Sequence, residues 1–452
     1  MLAWLAARQN HERTPPSGPQ SAAYGLGRTR TLLEMVGSPH EKLRVVHVAG
    51  TKGKGSTVAM ISAILGESGL RVGRYMSPHV HSIEERICID GRPIGPRELD
   101  AAFRIVAPAV DRLDARARDR GGRGPTWFEA VTAIAMLAFA RGEVDIAVLE
   151  TGLGGRLDAT NVSHPLVSVI TSISLDHMRQ LGRTVTAIAG EKAGIIKRGC
   201  PVVSGATSPH AARVIAATAA RRHARLFRLG HDFLARYAPA AASGGLLEPG
   251  SFEFEAMASE LENPRGPGAI ERYRIGMRGS HQAVNAALAV AAVRLLSRHR
   301  ISVGDAAIRR GLASVTLPAR VELVDGRPPI VIDAAHNVAS MESLVETIRP
   351  AVAVRPASVL VFAASTDKQI ARMLAKATGV FRHLVLTRYR TNPRAATLEK
   401  LAAAAKRAGF HAPRIAEGPN EAMALARKLA GPRGLICVAG SFFLASEVRE
   451  AT

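Results

Sequence analysis

The hydrophobic positions of the first 230 residues form short apolar runs that are separated by longer helical patterns. Val45, Val46 and Val48 make the first apolar run, and a glycine-rich turn and an apolar helix through Ile64 follow it. The same alternation predicts strands at 72–76, 86–89, 146–149, 166–171 and 201–204, and helices at 98–118 and 128–140. Fully apolar strands that alternate with helices are typical of a parallel sheet covered on both faces.

The pattern becomes irregular in the middle of the chain and then restarts. Residues 227–274 are predicted to contain one short antiparallel hairpin. Residues 283–297 form the last clear predicted helix of the first domain. Four apolar strands then return at 330–333, 359–363, 384–387 and 435–439. We therefore predict two α/β domains, residues 1–317 and a smaller Rossmann-like domain of residues 318–452.

Composition indicates a globular protein that does not cross a membrane. Hydrophobic residues make up 47% of the 452 positions, which is enough for a sizeable core. The apolar stretch 130–149 contains Arg141, Glu143 and Asp145, and the first residues lack the basic and apolar regions of an export signal. The three cysteines are far apart and form no C-x-x-C motif, so we expect a cytoplasmic protein with incidental thiols.

The net charge of +22 is compatible with nucleic acid, a membrane surface or small polyanionic substrates. Basic residues are spread along the chain with short clusters at 112–123 and 221–225, and aromatic residues that could stack on bases are only 4% of the chain. Nucleic-acid binding is therefore not expected to be the main function.

The turn after the first strand has the composition of a phosphate-binding loop. It consists of Gly50, Thr51, Lys52, Gly53, Lys54, Gly55, Ser56 and Thr57. Glycines let backbone N–H groups face a phosphate, the helix N-terminus adds positive potential, and Lys54 supplies a charge for the β- and γ-phosphates. Ser56 or Thr57 then offers a hydroxyl to Mg²⁺. The spacing is shorter than the common G-x-x-x-x-G-K-[ST], yet nucleotide binding is favoured over an ordinary glycine-rich turn.

A carboxylate ends the predicted strand 146–149. Glu150 lies where the carboxyl end of a parallel strand faces the ligand crevice, which suits a Mg²⁺ ligand. A dinucleotide fingerprint built on Gly152 and Gly154 is the alternative. It is disfavoured because Leu157 occupies the third glycine position.

Several other polar residues are ambiguous when taken alone. His177 follows the strand 166–171, where a histidine is usually structural, and Lys192 lies on a predicted helix, where it could pair with a neighbouring acid. In the second domain, Asp333 and Asn337 follow a predicted strand and could either form a site or cap a helix. Asn285 lies in an alanine-rich helix and either satisfies a local carbonyl or reaches an adenine ring.

Taken together, eleven ordered motifs over nearly the whole chain resemble the folylpolyglutamate synthase/dihydrofolate synthase family within the Mur ligase group. The motifs are Gly25-Leu-Gly-Arg28, 47–56, Ser77-Pro-His79, Glu85-Arg-Ile87, 126–129, 150–161, Leu175-Asp-His177, 191–194, His281-x-x-x-Asn285, 333–337 and Gly440-Ser441.

The resemblance implies a P-loop-type parallel-sheet ATPase domain followed by the smaller α/β domain. It also implies a reaction in which ATP phosphorylates a carboxylate of dihydropteroate or a folate and L-glutamate attacks the acyl phosphate, giving an amide, ADP and phosphate. The expected partners are small molecules, with no nucleic acid and no membrane, and the expected state is a cytoplasmic monomer.

The resemblance also implies roles for individual residues. Catalytic roles fall to Lys54, Lys192, His177 and His336. Ser56 and Glu150 hold one Mg²⁺, while His177 and Lys192 help to place a second, with Lys192 expected to be carbamylated because a carbamate presents hard oxygens to the ion. Asn285, Arg320 and Asp333 join the loop in binding ATP.

The acceptor and glutamate sites follow from the same resemblance. Thr126, Phe128 and Asp158 are expected to line the pterin pocket, and His336 and Ser441 to lie near glutamate. Departures from the family pattern concern the second domain, where Ala319, Ala334 and Val338 replace the usual Gly, Gly and Pro, and 363–369 differs from the usual Gly-rich turn and Asp-Lys-Asp. Two other functions stay open: a Mur-type ligase for another acidic acceptor, such as a cell-wall precursor, and a basic P-loop ATPase that depends on nucleic acid.

Overall fold

The structure is a computed structural model, and it describes residues 1–12, 25–240, 247–261 and 269–451. The helices are α1 Leu2–Ala6, α2 Leu26–Met35, α3 Lys54–Glu67, α4 Pro96–Asp119, α5 Trp127–Arg141, α6 Met178–Leu181, α7 Val185–Ala193, α8 Pro209–Arg221, α9 Ser280–Leu295, α10 Asp305–Ser314, α11 Val338–Ala353, α12 Ile370–Ala377, α13 Leu398–Arg407, α14 Pro419–Ala430 and α15 Phe442–Ala451.

The strands are β1 Val45–Ala49, β2 Val72–Tyr75, β3 Ile87–Ile89, β4 Arg92–Pro93, β5 Ile146–Glu150, β6 Pro165–Ile170, β7 Val202–Ser204, β8 Leu226–Arg228, β9 Phe233–Ala238, β10 Ser251–Ala256, β11 Ile270–Arg274, β12 Glu322–Val324, β13 Ile330–Ile332, β14 Ser358–Phe362, β15 His383–Leu386, β16 Arg414–Ile415 and β17 Leu435–Ala439.

The first sheet has eight strands in the order β4-β3-β2-β5-β1-β6-β7-β8. Strand β1 lies near its centre and pairs in parallel with β5 and β6, whereas β3 and β4 form an antiparallel edge. Every residue of β1 and β5 is buried, as expected for strands covered on both faces. The predicted parallel α/β sheet is therefore confirmed, and the carboxyl ends of β1, β5 and β6 lie side by side at one edge.

Two sequence-based expectations for the middle of the chain were incomplete. Residues 227–274 were expected to hold one hairpin, but they contain the edge strand β8 and a separate three-stranded sheet in the order β11-β10-β9. The clue was the alternation of buried Phe252 and Phe254 with more exposed neighbours in β10. Helix α10 was missed. It packs so closely on α3 that a Cβ on Gly311 would lie 2.6 Å from the backbone of Ile64.

The second sheet has six strands in the order β12-β13-β17-β14-β15-β16. Strand β12 is antiparallel to β13, while the other pairs are parallel, so the sheet is a second parallel core with one reversed edge. Strands β14 and β17 are buried throughout. Strands β12 and β16 were not predicted because they are short and only partly buried or exposed.

The chain divides into two compact units. The first comprises Met1–Arg236, Glu253–Tyr273 and Val284–Val315, and the second comprises Tyr237–Phe252, Arg274–Ala283 and Thr316–Thr452. The boundary predicted at 317/318 treats each domain as one continuous segment, whereas two short segments of the middle region group with the second unit.

No helix in the described part of the chain is long and apolar enough to cross a membrane. Cys88, Cys200 and Cys437 are buried free thiols.

Candidate functional site

The loop of residues 50–57, which we call the phosphate-type loop, begins directly after β1 and runs into the first turn of α3. The backbone of Gly53 has a φ of +80°, and a Cβ at this position would lie 2.2 Å from Oδ1 of Asn285. Glycine is therefore required both by the left-handed backbone and by the close approach of Asn285. No side chain caps the N-terminus of α3, which leaves its first-turn N–H groups available to an anion.

Lys54 and Glu150 lie together beside this helix terminus. The Nζ atom of Lys54 is 3.8 Å from Oε1 of Glu150, whose side chain is 5% exposed. The backbone N–H of Ser77 donates to Oε2 of the same carboxylate at 3.2 Å. A lysine ammonium and a buried carboxylate thus meet at the carboxyl edge of neighbouring strands, where parallel sheets bind their ligands.

The loop is held in place by the segment that follows β6, which the sequence analysis did not single out. The backbone N–H of Thr51 donates to the Ser172 carbonyl at 2.8 Å, and the Thr51 hydroxyl donates to the Ser174 carbonyl at 3.2 Å. Oγ1 of Thr171 donates to the Lys52 carbonyl at 2.6 Å. The available signal was the run of hydroxyl residues directly after a buried strand.

Lys192 reaches the same loop from α7. Its Nζ donates to the carbonyl oxygen of Gly50 at 2.7 Å, although the two residues are 142 positions apart. Burial and the nearby charge of Lys54 lower the pKa of Lys192 to about 7, against the opposing effect of acidic neighbours such as Asp176. The side chain is therefore a buried amine that exchanges its proton near neutral pH.

His177 and its neighbour Asp176 lie between the end of β6 and the start of α6. His177 is exposed, has a φ of +46° and precedes the short helix α6, while its backbone N–H donates to Oδ1 of Asp176 at 2.9 Å. Asp176 is 9% exposed. Within the described residues, no group of three or more His, Cys, Asp and Glu side chains is arranged to hold a metal ion by itself.

Thr126, Phe128 and Asp158 lie on two neighbouring parts of the first unit. Thr126 caps α5 in a capping box with Glu129, and the Phe128 ring fills the space where a Cβ on Gly152 would lie. Asp158 accepts hydrogen bonds from the N–H of Leu153 at 2.9 Å and from Thr160. Burial raises the pKa of Asp158, and these hydrogen bonds oppose that rise.

The second-unit candidates gather at the carboxyl ends of β13 and β17. Asp333 is buried and accepts hydrogen bonds from the N–H groups of Val321 at 2.8 Å and Ala335 at 2.7 Å. Burial raises the pKa of Asp333, and the charges of Arg320 and His336 oppose the rise.

The remaining second-unit residues have local hydrogen bonds. One ring nitrogen of His336 lies 2.9 Å from the Ala334 carbonyl, and the Ser441 hydroxyl accepts from the N–H of Phe443 at 3.2 Å. Asn337 caps α11, which confirms the capping alternative for this residue. Ala319 has a φ of +54°, in the region that favours the glycine it replaces.

Comparison with known protein families identifies two Mur ligase domains along the chain. A family model described as the Mur ligase middle domain matches residues 48–293, and one described as the Mur ligase, glutamate ligase domain matches residues 319–442. The dihydrofolate synthase/folylpolyglutamate synthase of Bacillus subtilis is 38% identical over 428 residues, which cover 94% of this chain and 94% of that protein.

Solved structures give the same result. The Mycobacterium tuberculosis folylpolyglutamate synthase complexed with ADP superposes with a TM-score of 0.86 at 33% identity, covering 100% of this chain and 97% of that one. Escherichia coli FolC in complex with DHPP and ADP superposes with a TM-score of 0.81 at 28% identity, covering 100% and 97%. The chain therefore belongs to the folylpolyglutamate synthase/dihydrofolate synthase family of Mur ligases.

Proposed function

We propose that this protein is an ATP-dependent ligase that joins L-glutamate to dihydropteroate, to reduced folates or to both, releasing ADP and phosphate. The observation that carries the proposal is the pair of Lys54 and Glu150, 3.8 Å apart beside the uncapped N-terminus of α3. This pair offers a phosphate cradle and a metal-binding carboxylate in one place. The relatives named for both folate activities support the choice of acceptor.

The reaction needs no protein nucleophile. An acceptor carboxylate oxygen attacks the γ-phosphorus of ATP, the bond to the bridging oxygen breaks, and ADP leaves. The neutral amine of glutamate then attacks the carbonyl carbon of the acyl phosphate, the bond from that carbon to the phosphate oxygen breaks, and the nitrogen loses one proton to phosphate or solvent as the amide forms. Lys54 and the α3 N–H groups bind and orient the transferring phosphoryl group, so catalysis is positioning and charge stabilisation.

The residues at the loop fit a magnesium ion. Mg²⁺ is usually bound by one or two carboxylates together with phosphate and water, so a single buried carboxylate 3.8 Å from the lysine of the phosphate-type loop is a suitable donor. Ser56 and Glu150, both nearly fully buried, would hold one ion, while His177 and Lys192 would help to hold a second. A bound Mg²⁺ would neutralise part of the negative charge of the phosphates.

Lys192 is proposed to carry a carbamate. A neutral amine forms this group by attack of Nζ on CO₂ with loss of one proton, and the pKa of about 7 leaves much of the amine neutral at physiological pH. An ammonium would repel a metal ion, whereas a carbamate offers hard oxygen ligands.

The other proposed contacts concern ATP and glutamate. Asn285, Arg320 and Asp333 are proposed to bind ATP, and His336 and Ser441 to lie near glutamate. The support is their chemistry: Asn285 touches the phosphate-type loop at Gly53, and Asp333 is a buried carboxylate beside Arg320.

We further propose a cytoplasmic monomer that acts on small molecules without nucleic acid or membrane. A cytoplasmic location accompanies a reaction that consumes ATP. The positive charge of +22 suits substrates that are all anions, namely ATP, glutamate and the pteroate acceptor.

The test is an ADP-release assay with Mg-ATP, L-glutamate and each acceptor in turn. Release that requires glutamate and either dihydropteroate or tetrahydrofolate supports the proposal and identifies the acceptor. Release only with a muramoyl-type acceptor would assign another Mur ligase activity instead. ATP hydrolysis stimulated by DNA or RNA, and lost steeply with salt, would assign a nucleic-acid-dependent ATPase.

A further inference from the structure

A buried chain of three polar side chains joins β1 to the loop that carries Asp158. Nε2 of His47 lies 2.8 Å from Oγ1 of Thr160, and that oxygen lies 2.5 Å from Oδ1 of Asp158. His47 and Thr160 are fully buried, and Asp158 is 6% exposed. We call these three residues the Asp158 relay.

The relay has one consistent direction. The hydroxyl of Thr160 has a single hydrogen, which it donates to the Asp158 carboxylate, because an ionised carboxylate can only accept. Nε2 of His47 must then be the protonated nitrogen and donate to Thr160. The other ring nitrogen, Nδ1, is buried without a hydrogen-bond partner among the described residues, which is tolerable for an acceptor.

Burial supports the same assignment. It lowers the pKa of His47 to about 3, so the imidazole is neutral and carries one N–H. Asp158 receives the Thr160 hydroxyl, the Thr160 backbone N–H at 3.0 Å and the Leu153 N–H at 2.9 Å. These donors stabilise the charged form of Asp158 and oppose the rise in its pKa that burial causes.

The turn that carries Thr160 is also fixed from other sides. It is a short 3-10 helix, Ala159–Val162. The amide of Asn161 donates to the Arg156 carbonyl at 2.9 Å and to the Gly194 carbonyl at 3.1 Å, just beyond α7. Lys197 donates to the Asn161 carbonyl at 2.8 Å. The turn beside the Asp158 relay is therefore hydrogen-bonded to the loop at Arg156 and to the segment that follows α7.

We propose that His47 and Thr160 are positioning residues that hold Asp158 ionised and oriented for the N–H donors of the acceptor substrate. The inference rests on the proposed function and on the expectation, implied by the family resemblance, that Asp158 lines the acceptor site. The pterin ring presents an amide N–H and an exocyclic amino group, and a fixed carboxylate accepts from both, whereas a neutral acid would not. The relay thus contributes to selection of the acceptor and not to phosphoryl transfer.

Thr160→Val is the central variant because it removes the hydroxyl and keeps the shape. We expect the KM for dihydropteroate to rise about tenfold or more, with kcat and the KM values for ATP and glutamate changed by less than about twofold. Thr160→Ser keeps the hydroxyl and restores most of the affinity. Ser163→Ala is the matched control, since the Ser163 hydroxyl donates its single hydrogen to the Thr160 carbonyl at 2.7 Å and not to the Asp158 carboxylate.

The outcomes distinguish failure of the positioning role from failure of the proposed ligase function. An unchanged dihydropteroate KM in Thr160→Val, or an equal rise in all three KM values with a lowered Tm, overturns the positioning role. No ADP release by the wild-type protein with any pteroate acceptor overturns the proposed function instead.

The relay has a readout that does not need activity. ¹⁵N NMR of the histidine rings, assigned with His47→Gln, should show His47 as the Nε2–H tautomer from pH 6 to 8, which is above its pKa of about 3. A Nδ1–H tautomer or a protonated ring contradicts the relay.

Discussion

The side-chain nitrogen of Lys192 lies 2.7 Å from the carbonyl oxygen of Gly50, at the first residue of the phosphate-type loop. A buried amine with a pKa of about 7 thus touches the loop from a helix far away in sequence. The contact links α7 to the proposed site of phosphoryl transfer.

Lys192→Ala is expected to lower kcat by about 100-fold, because it removes the proposed metal-binding carbamate. Acetate or propionate added at high concentration should restore part of the activity by occupying the space with a carboxylate. ¹³C NMR of the wild-type protein under ¹³CO₂ checks the modification directly. Full activity in CO₂-depleted buffer, with no carbamate signal, would contradict it. Lys428→Ala, at an exposed lysine of α14, is the matched control.

Lys54→Ala should abolish ADP release with every acceptor, with a loss of at least about 100-fold in kcat. Lys54→Arg is not expected to rescue it, because a planar guanidinium does not reproduce a compact ammonium. The ADP-release assay measures both variants, and wild-type kcat in Lys54→Ala would refute the phosphate role.

Gly53→Ala should be much more harmful than Gly69→Ala. Both glycines have positive φ, +80° and +84°, so both substitutions cost about 1–2 kcal/mol of backbone strain. Only at position 53 does the new Cβ also collide with Asn285, whereas nothing lies within 4 Å at position 69. We expect a raised KM for ATP in Gly53→Ala alone, measured beside urea unfolding. Equal effects in the two variants would contradict the close approach of Asn285.

Thr126→Ala should lower the free energy of unfolding by about 1 kcal/mol, since it removes the N-cap of α5. It should also raise the acceptor KM if Thr126 lines the pterin pocket. Thr397→Ala removes the equivalent cap of α13 and is the matched control, with a similar loss of stability and no change in that KM. If the KM for the acceptor is the same in the two variants, Thr126 has only a structural role.

Acid should destabilise the protein through His47. Its pKa is about 3 in the folded state and close to 6.5 when unfolded, so below pH 6.5 the unfolded chain binds an extra proton. The free energy of unfolding then falls by about 1.4 kcal/mol per pH unit between pH 6.5 and 3 from this residue. Urea unfolding of His47→Gln should show a shallower slope. An unchanged slope in His47→Gln would contradict this contribution.

Much of the fold and part of the site were readable from the chain. The apolar run 45–48 followed by glycines, Lys54 and an apolar helix predicts a buried strand, a turn and a helix because local hydrophobic spacing specifies them. Glu150 was predicted at the crevice because it ends a buried strand. The edge strands β12 and β16 and helix α10 were missed, since short or mixed segments have weak periodicity.

The pairing of distant residues could not be predicted in the same way. Thr171 and Ser174 hold the loop from the next strand, and His47 reaches Thr160 across 113 positions, yet none of these contacts leaves a periodic trace. Such contacts depend on which strands become neighbours in the sheet and on how closely the loops approach.

The sequence by itself determined the alternating α/β elements, the phosphate-type loop and, through ordered motifs, the family. Only the tertiary structure decided that Lys192 is buried against Gly50, that Gly53 must lack a side chain because Asn285 adjoins it, and that Asp158 is held by His47 and Thr160. The physical reason is that secondary structure follows local spacing, whereas burial, pKa and hydrogen-bond direction depend on neighbours that only folding brings together.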